Sequence, residues 1–165
     1  MLLYNCKKFN GFSQLIYSKH VRSINLQSVV CPVCHEKSTL SLYGTYPRSY
    51  YTDNGTITIR VQRCQCSRCN STHAILPSFT IPYSRISLPD ACDILTSENL
   101  DGILVRLSVA MDTIRRIRRR FSLWVGRLSN YDEFSFFQLT SICISTFGLQ
   151  FLQARPAPIS FIMPT

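Results

Sequence analysis

The sequence predicts an α+β protein in which a β-hairpin, framed by two cysteine pairs, precedes a module of three short helices. Three observations support this prediction: two Cys-x-x-Cys pairs frame residues 35–65, residues 56–63 alternate apolar and polar side chains, and residues 113–128 repeat apolar side chains at helical spacing. The predicted segments are an N-terminal arm or short helix at 1–28, the hairpin with an extended strap at 29–84, the helical module at 85–130, an apolar helical segment at 131–153 and a flexible tail at 154–165.

The two cysteine pairs are Cys31 with Cys34 and Cys66 with Cys69. A Cys-x-x-Cys turn brings two sulfurs to one side of the chain, so two such turns complete a tetrahedron around Zn²⁺ with bonds of about 2.3 Å. Four thiolates leave no position open for water or substrate. We therefore expect a structural zinc ion, which contributes folding free energy and takes no part in chemistry.

Other assignments of the cysteines stay open at this point. Cys64 lies two residues before Cys66 and is a substitute ligand, although Cys66 with Cys69 keeps the gap of the first pair. His35 and His73 are further substitutes. A disulfide cluster and a redox pair are the competing interpretations.

The residues between the cysteine pairs predict a hairpin. Ile57, Ile59 and Val61 fall on one face of a strand, and Asp53-Asn54-Gly55 before them is a tight-turn signal. The aromatic run at 43–51 is then the partner strand. Two cysteine knuckles joined by a hairpin form a zinc ribbon.

Helix signals begin after the ribbon. Pro77 and Pro82 exclude a helix and favour an extended strap. Ser87, with Asp90 three residues later, predicts an N-cap for a helix from about residue 88 to 96. A second helix is expected around residues 100–109, and a third, capped by Asp112 or Thr113, to about residue 128.

The third helix separates apolar from basic side chains. Its apolar arc is formed by Ile114, Ile117, Phe121, Trp124, Val125 and Leu128. The opposite arc is predicted to carry Arg115, Arg116, Arg118, Arg119, Arg120 and Arg127. Like charges three or four residues apart repel, and a phosphate backbone relieves this repulsion. We therefore predict a helix-turn-helix module that binds duplex DNA, with Arg115, Arg116 and Arg119 towards base edges and Arg120 and Arg127 towards phosphates.

Composition agrees with a polyanionic partner. The 165 residues include 18 Lys and Arg against 9 Asp and Glu, a formal net charge of +9. The nine acids form no convincing metal-binding triad, so we expect no catalysis by this chain. Cysteines outside the knuckles lie in apolar surroundings, which favours a reducing, cytoplasmic, nucleoid-associated setting. We expect no secretory signal and no membrane span.

Two segments remain ambiguous from sequence. Residues 1–28 either cover the open face of the ribbon or form a mobile basic arm. Residues 131–153 carry more phenylalanine and aliphatic side chains than one small module needs. They predict either a further packed helix or a surface for a protein partner or self-association.

The sequence also resembles a known family, and the residues that carry the resemblance are Cys31-Pro-x-Cys34, Arg63-Cys64-x-Cys66-x-x-Cys69, Thr72-His73-Ala74-Ile75-Leu76-Pro77 with Ile81-Pro82-Tyr83, and Phe121-x-Leu-Trp124-x-Gly126. They resemble an uncharacterised clostridial family whose members look like the zinc ribbon and helix-turn-helix front end of insertion-sequence transposases. The resemblance covers roughly residues 9–152 and departs at Ile117, where that family usually has an aromatic residue. It implies DNA binding linked to mobile elements and supplies no reaction.

Overall fold

The computed structural model describes residues 1–6, 11–52, 55–81, 83–125 and 160–162. The predicted Asp53-Asn54 part of the turn, the apolar segment 131–153 and Arg127 lie outside these residues. The chain divides into two units: unit 1 comprises Met1–Tyr50, Ile57–Thr80 and Ala157–Thr165, and unit 2 comprises Tyr51–Thr56 and Ile81–Pro156. Within the described residues, no helix combines the length and apolar character needed to cross a membrane.

Five strands form one mixed sheet in the order β2-β3-β4-β1-β5. Their bounds are Leu2–Tyr4 (β1), Leu40–Thr52 (β2), Gly55–Cys66 (β3), Thr72–Pro77 (β4) and Ser160–Ile162 (β5). β2 and β3 are neighbours joined by two residues, as the predicted hairpin requires. With the helices described below, the sheet confirms the predicted α+β class.

The sheet extends beyond the predicted hairpin because β4 and β1 join it. The segment predicted as a strap is β4, which pairs antiparallel with β3 (Cys64 opposite His73) and whose Ile75 lies opposite Leu2 of the parallel strand β1. All three residues of β1 are buried. A short, wholly apolar strand of this kind is typical of the inside of a sheet, where both faces are covered.

β5 corrects the expectation for the C-terminal residues. Within the segment predicted as a flexible tail, Ser160–Ile162 pairs parallel with β1, so that Leu3 lies opposite Phe161. Prolines at 156, 158 and 164 suggested an irregular chain. None of them falls inside the three paired residues, so no ladder hydrogen bond is lost to proline.

Helix α1, Gln14–Ser23, lies within the segment at 1–28 for which an arm or a short helix is predicted. Ser13 is its N-cap and accepts a hydrogen bond from Ile16 N. On the inner side, Phe12 meets the ring of Phe79 edge-on at 4.9 Å and that of Tyr17 at 6.3 Å. Residues 11–23 therefore pack on the core of unit 1, which favours the covering role left open for the N-terminal segment.

Tyr17 joins two strands where their pairing ends. Residues Arg63 to Gln65 of β3 pair with Thr72 to Ala74 of β4. Next to these pairs, the Tyr17 hydroxyl accepts a hydrogen bond from Gln62 N (2.7 Å) and donates one to Ile75 O (2.9 Å). Gln14 adds a second link, because its Oε1 accepts from Arg60 N at 2.6 Å. Two side chains of α1 thus satisfy backbone groups that no neighbouring strand satisfies there.

The described residues of unit 2 form three helices: α2 at Leu88–Thr96, α3 at Asp101–Leu107 and α4 at Met111–Val125. The predicted bounds of α2 and its N-cap Ser87 are confirmed. Ser87 Oγ accepts from Asp90 N and also hydrogen-bonds the Asp90 carboxylate. Arg106 of α3 contacts that carboxylate at 3.0 Å, so the buried acid is paired.

α4 begins at Met111, two residues earlier than a cap at Asp112 would allow. Thr113 N donates to Ala110 O, and Asp112 lies inside the first turn, where a carboxylate favours the positive end of the helix dipole. Of the predicted apolar arc, Ile114 and Phe121 are fully buried and Ile117 is half-buried. The side chains of Trp124 and Val125 lie outside the description, as does Leu128.

Replacing Tyr17 by phenylalanine should lower the free energy of unfolding by about 1–3 kcal/mol, because the buried carbonyl of Ile75 and the part-buried amide of Gln62 then lose their partner. Tyr83→Phe is the matched control, since Tyr83 is 70% exposed and its change should stay within about 0.5 kcal/mol. Urea unfolding of both variants measures the difference. Equal stability of the two variants would show that the Tyr17 hydroxyl does not hold the strands.

Candidate metal centre and basic helix

The first cysteine knuckle is a tight turn closed by two backbone hydrogen bonds. Cys31 N donates to Glu36 O at 2.9 Å, and His35 N donates to Cys31 O at 2.9 Å. His35, directly after the second cysteine of the pair, has a φ of 61°. This left-handed conformation reverses the chain, and histidine adopts it more readily than most residues.

The second knuckle repeats the first one bond for bond. Cys66 N donates to Ser71 O at 3.0 Å, and Asn70 N donates to Cys66 O at 2.9 Å. Asn70, directly after Cys69, has a φ of 57°. Since the same turn occurs twice, Cys66 with Cys69 is the structural counterpart of the first pair.

The four cysteines of the two knuckles come together. Their sulfur atoms all lie within 4.8 Å of one another; Cys31 Sγ is 3.7 Å from Cys69 Sγ, and Cys34 Sγ is 3.6 Å from Cys66 Sγ. A tetrahedron with metal–sulfur bonds of about 2.3 Å has edges of about 3.8 Å, whereas a disulfide bond is about 2.0 Å long. The cluster therefore fits one metal ion held by four thiolates, and the alternative of a disulfide cluster does not fit these distances.

Cys64 is not part of this group. It lies in β3 opposite His73, is fully buried, and its sulfur is 3.5 Å from His73 O. Burial raises the pKa of this thiol to about 11, which favours the protonated form. The idea that Cys64 replaces Cys66 as a ligand is thus wrong, because Cys66 is one of the four clustered sulfurs and the sulfur of Cys64 contacts the backbone of β4 instead.

Neighbouring hydroxyl groups favour thiolates at the second knuckle. Thr39 Oγ1 is hydrogen-bonded to Cys66 Sγ at 3.2 Å, and this contact lowers the pKa of Cys66 to about 6. A hydrogen bond with the side chain of Ser71 lowers the pKa of Cys69. The thiolate is the form that binds metal, so these partners prepare the site.

His73 lies beside the four-cysteine cluster and is not one of its members. The side chain is buried, and burial, followed by the charge of the amino group of Met1, lowers its pKa to about 4, so that the ring is neutral at neutral pH. Its Nε2 is 3.4 Å from Cys31 Sγ and its Nδ1 is 3.3 Å from Met1 N. With a metal bound at Cys31, whose thiolate has no hydrogen to donate, Nε2–H of His73 would donate to the sulfur and orient it.

Four of the predicted arginines of α4 form an exposed basic face, made of Arg115, Arg116, Arg119 and Arg120. Arg115 is 3.7 Å from Asp112 with a side chain 76% exposed, and Arg116 contacts Asp112 O and Thr113. The side chains of Arg119 and Arg120 form no hydrogen bond or ion pair with the described part of the chain. These side chains are available to a partner, and Arg127 lies outside the described residues.

Arg118 does not share this face. Its Nε donates to Ile94 O at 2.9 Å and its Nη2 donates to Ser97 O, at the C-terminal end of α2. A cation there satisfies carbonyls that have no partner within the helix. The prediction that Arg118 projects with the other arginines is wrong. Its spacing already indicated this, since Arg118 lies four residues after Ile114 and three before Phe121, both of which are buried.

A family model described as a domain of unknown function, DUF6431, matches residues 31–117, more than half of the chain. The chain belongs to the DUF6431 family. The DUF6431 match begins at the first cysteine of the cluster and ends within α4, so it includes all four sulfurs. Comparisons with curated proteins and with solved structures find no match. The likeness to transposase front ends therefore stays a prediction.

Protein purified without added metal should contain about one zinc ion per chain, because four thiolates match the coordination number of zinc. Cys34→Ser and Cys69→Ser should lose that metal, whereas Cys64→Ser should keep it. Elemental analysis of the three variants, with thermal unfolding beside it, makes the measurement. Metal loss in Cys64→Ser alone would place the ligand at 64 and contradict the arrangement of the knuckles.

Replacing Arg118 by alanine should lower the free energy of unfolding by about 2 kcal/mol, because the carbonyls of Ile94 and Ser97 lose a charged donor. Arg120→Ala removes the same charge from an exposed position and should change stability by no more than about 0.5 kcal/mol. Chemical denaturation of the two variants checks this. An equal effect would mean that Arg118 is as loosely held as Arg120.

Proposed function

We propose that this DUF6431 protein binds duplex DNA through the exposed arginine face of α4, while a structural zinc ion in a zinc ribbon holds the cysteine knuckles. The observation that carries the proposal is the basic face itself: Arg115, Arg116, Arg119 and Arg120 share it, and among the described residues Asp112 is the one acid that pairs with it. A row of guanidinium groups along one helix is the pattern that neutralises phosphates and releases counterions.

The energetics of α4 support a polyanionic partner. Arg115 with Arg119 and Arg116 with Arg120 are four residues apart, and Arg116 with Arg119 are three apart. Each such pair of like charges costs the isolated helix about 0.2–0.5 kcal/mol. Phosphates placed along the face would remove this cost, whereas water only screens it.

The helix connections support a helix-turn-helix interpretation of unit 2. Three residues separate α3 from α4, which is the turn length typical of this motif. Ser108, the first of them, has a φ of 48° and ends α3 with a left-handed turn. In the motif α4 would be the recognition helix, with Arg115, Arg116 and Arg119 nearest the base edges of the major groove.

The wider assignment rests on the resemblance described above. A zinc ribbon followed by a helix-turn-helix is similar to the front end of insertion-sequence transposases, so we propose a DNA-binding component associated with a mobile element. The proposal includes no strand-transfer chemistry in this chain. Such chemistry needs a carboxylate set that holds two cations, and Asp90 and Asp93 are instead paired with Arg106.

A second candidate is a protein-interaction or transcription-regulatory module. Two apolar side chains of unit 2 favour it, because Val105 on α3 is 80% exposed and Leu123 on α4 is 60% exposed. Exposed aliphatic side chains are common singly, and neighbouring ones mark protein contacts. The two candidates differ in whether the arginine face is necessary for binding the partner.

Replacing Arg115, Arg116 and Arg119 by alanine should abolish binding to a random-sequence DNA duplex and leave the zinc content unchanged. For the unaltered protein, log Kobs should fall steeply with log salt, with a slope of about 0.9 for each phosphate contact. Fluorescence anisotropy over a salt series makes the measurement.

Lysine at the same three positions is the matched control. It keeps the charge and should retain most of the salt-dependent affinity, while losing the two-pronged contacts to guanine that only arginine makes. Undiminished binding by the alanine variant would reject α4 as the interface and favour the protein-interaction candidate.

A further inference from the structure

The positive charge of the protein is concentrated in unit 1, away from the conspicuous arginines of α4. Unit 1 contains a single acid, Glu36. Against it stand nine basic residues: Lys7, Lys8, Lys19, Arg22, Lys37, Arg48, Arg60, Arg63 and Arg68. Unit 2 balances nine arginines with eight acids. Four thiolates around one divalent ion remove only two charges, so unit 1 remains strongly positive.

Within unit 1, one arginine of β2 and one of β3 each pack over a tyrosine ring of β2. The guanidinium carbon of Arg63 lies 5.5 Å from the ring centre of Tyr43, and that of Arg48 lies 5.0 Å from the ring centre of Tyr50. Tyr46 lies between Tyr43 and Arg48 in β2 and is half-buried. We call Tyr43, Tyr46, Arg48 and Arg63 the Arg–Tyr surface.

The Arg–Tyr surface is open to solvent at one end. Tyr43 is 51% exposed and its neighbour Leu42 is 60% exposed, while Arg48 and Arg63 are half-buried. The described residues of β2 and β3 include no acid. Packing over a tyrosine ring orders an arginine before any ligand arrives, which reduces the entropy lost on binding.

Charge and stacking together identify the ligand class. Arginines attract any phosphate chain, but an exposed tyrosine ring gains most from a base that is free to stack on it. Bases in a duplex are stacked on one another, so an unpaired strand fits both features better. Lys19 and Arg22 on α1 are also basic residues of unit 1, but neither packs over an aromatic ring of the described residues.

We propose that the Arg–Tyr surface of β2 and β3 binds single-stranded nucleic acid, as a second site in addition to the proposed duplex-binding face of α4. The proposal extends the proposed function, since both sites take nucleic acid, but it uses different residues on a different unit. In it Arg48 and Arg63 contact phosphates, and Tyr43 stacks on a base.

The test uses the full zinc-loaded chain with a fluorescent oligothymidine of about 12 nucleotides, within the site size that one such platform covers. The double variant Arg48→Ala/Arg63→Ala should bind it at least tenfold more weakly, and the salt slope should fall by about 1.4, near 0.7 per phosphate contact. Tyr43→Ala should cost about tenfold, whereas Tyr43→Phe keeps the ring and should bind like the unaltered protein.

Controls separate this surface from general charge and from α4. Lys19→Ala/Arg22→Ala removes two charges from the same unit and should change oligothymidine binding less than threefold. The alanine variant of Arg115, Arg116 and Arg119 should keep oligothymidine binding and lose duplex binding. Zinc content and thermal unfolding verify that each variant is folded.

The outcomes distinguish the two proposals. No oligothymidine binding by the unaltered protein, full binding by the Arg48/Arg63 variant, or equal losses of both probes in that variant would overturn the second site. Loss of oligothymidine binding in the Arg48/Arg63 variant, with duplex binding kept by the α4 variant, would support the second site and reject α4 as the duplex interface.

Discussion

The approach of four sulfur atoms to within 4.8 Å of one another is the constraint on which the arrangement of unit 1 depends. The two knuckles are 31 residues apart in sequence, so they meet only if the intervening chain leaves and returns to the same place. A hairpin does this, since β3 leads straight into Cys66. Ser67 N then donates to Thr39 O at 2.8 Å, which ties the second knuckle to the start of β2. A metal ion would convert this local proximity into folding free energy.

The second requirement is a partner for the hairpin, because two strands alone are marginally stable in water. β4 and β1 supply it, and α1 secures the place where β3 and β4 separate. There the Tyr17 hydroxyl satisfies one backbone group of each strand, at Gln62 and Ile75. The four-sulfur cluster joins the end of β3 to the segment before β2. Tyr17 joins β3 to β4 further along, at Gln62 and Ile75.

The sequence predicted the features that depend on local chemistry. The cysteine spacing identified the four sulfurs, and Ser87 with Asp90 located the start of α2, because caps and knuckles are formed within five residues. Features that depend on distant pairing were missed. β1 is three residues long, which is too short for a periodic signal. β4 ends at Pro77, and a proline there favours an unpaired strap over a paired strand in the sequence. Arg118 looks like a member of the exposed basic face by residue type, but helical spacing puts its side chain towards α2.

Charge shows most clearly why a local pattern misleads. The arginine run of α4 is conspicuous because its members are close in sequence, yet the eight acids of unit 2, such as Asp90, Asp93 and Asp112, almost balance the nine arginines of that unit. The basic residues of unit 1 are dispersed between Lys7 and Arg68 and form no conspicuous run, but Glu36 is the one acid in the sequence of that unit. Long-range attraction of a polyanion follows summed charge, whereas short-range contact follows the exposed face. The first nucleic-acid encounter is therefore expected at unit 1, with the guanidinium groups of α4 engaging afterwards at close range.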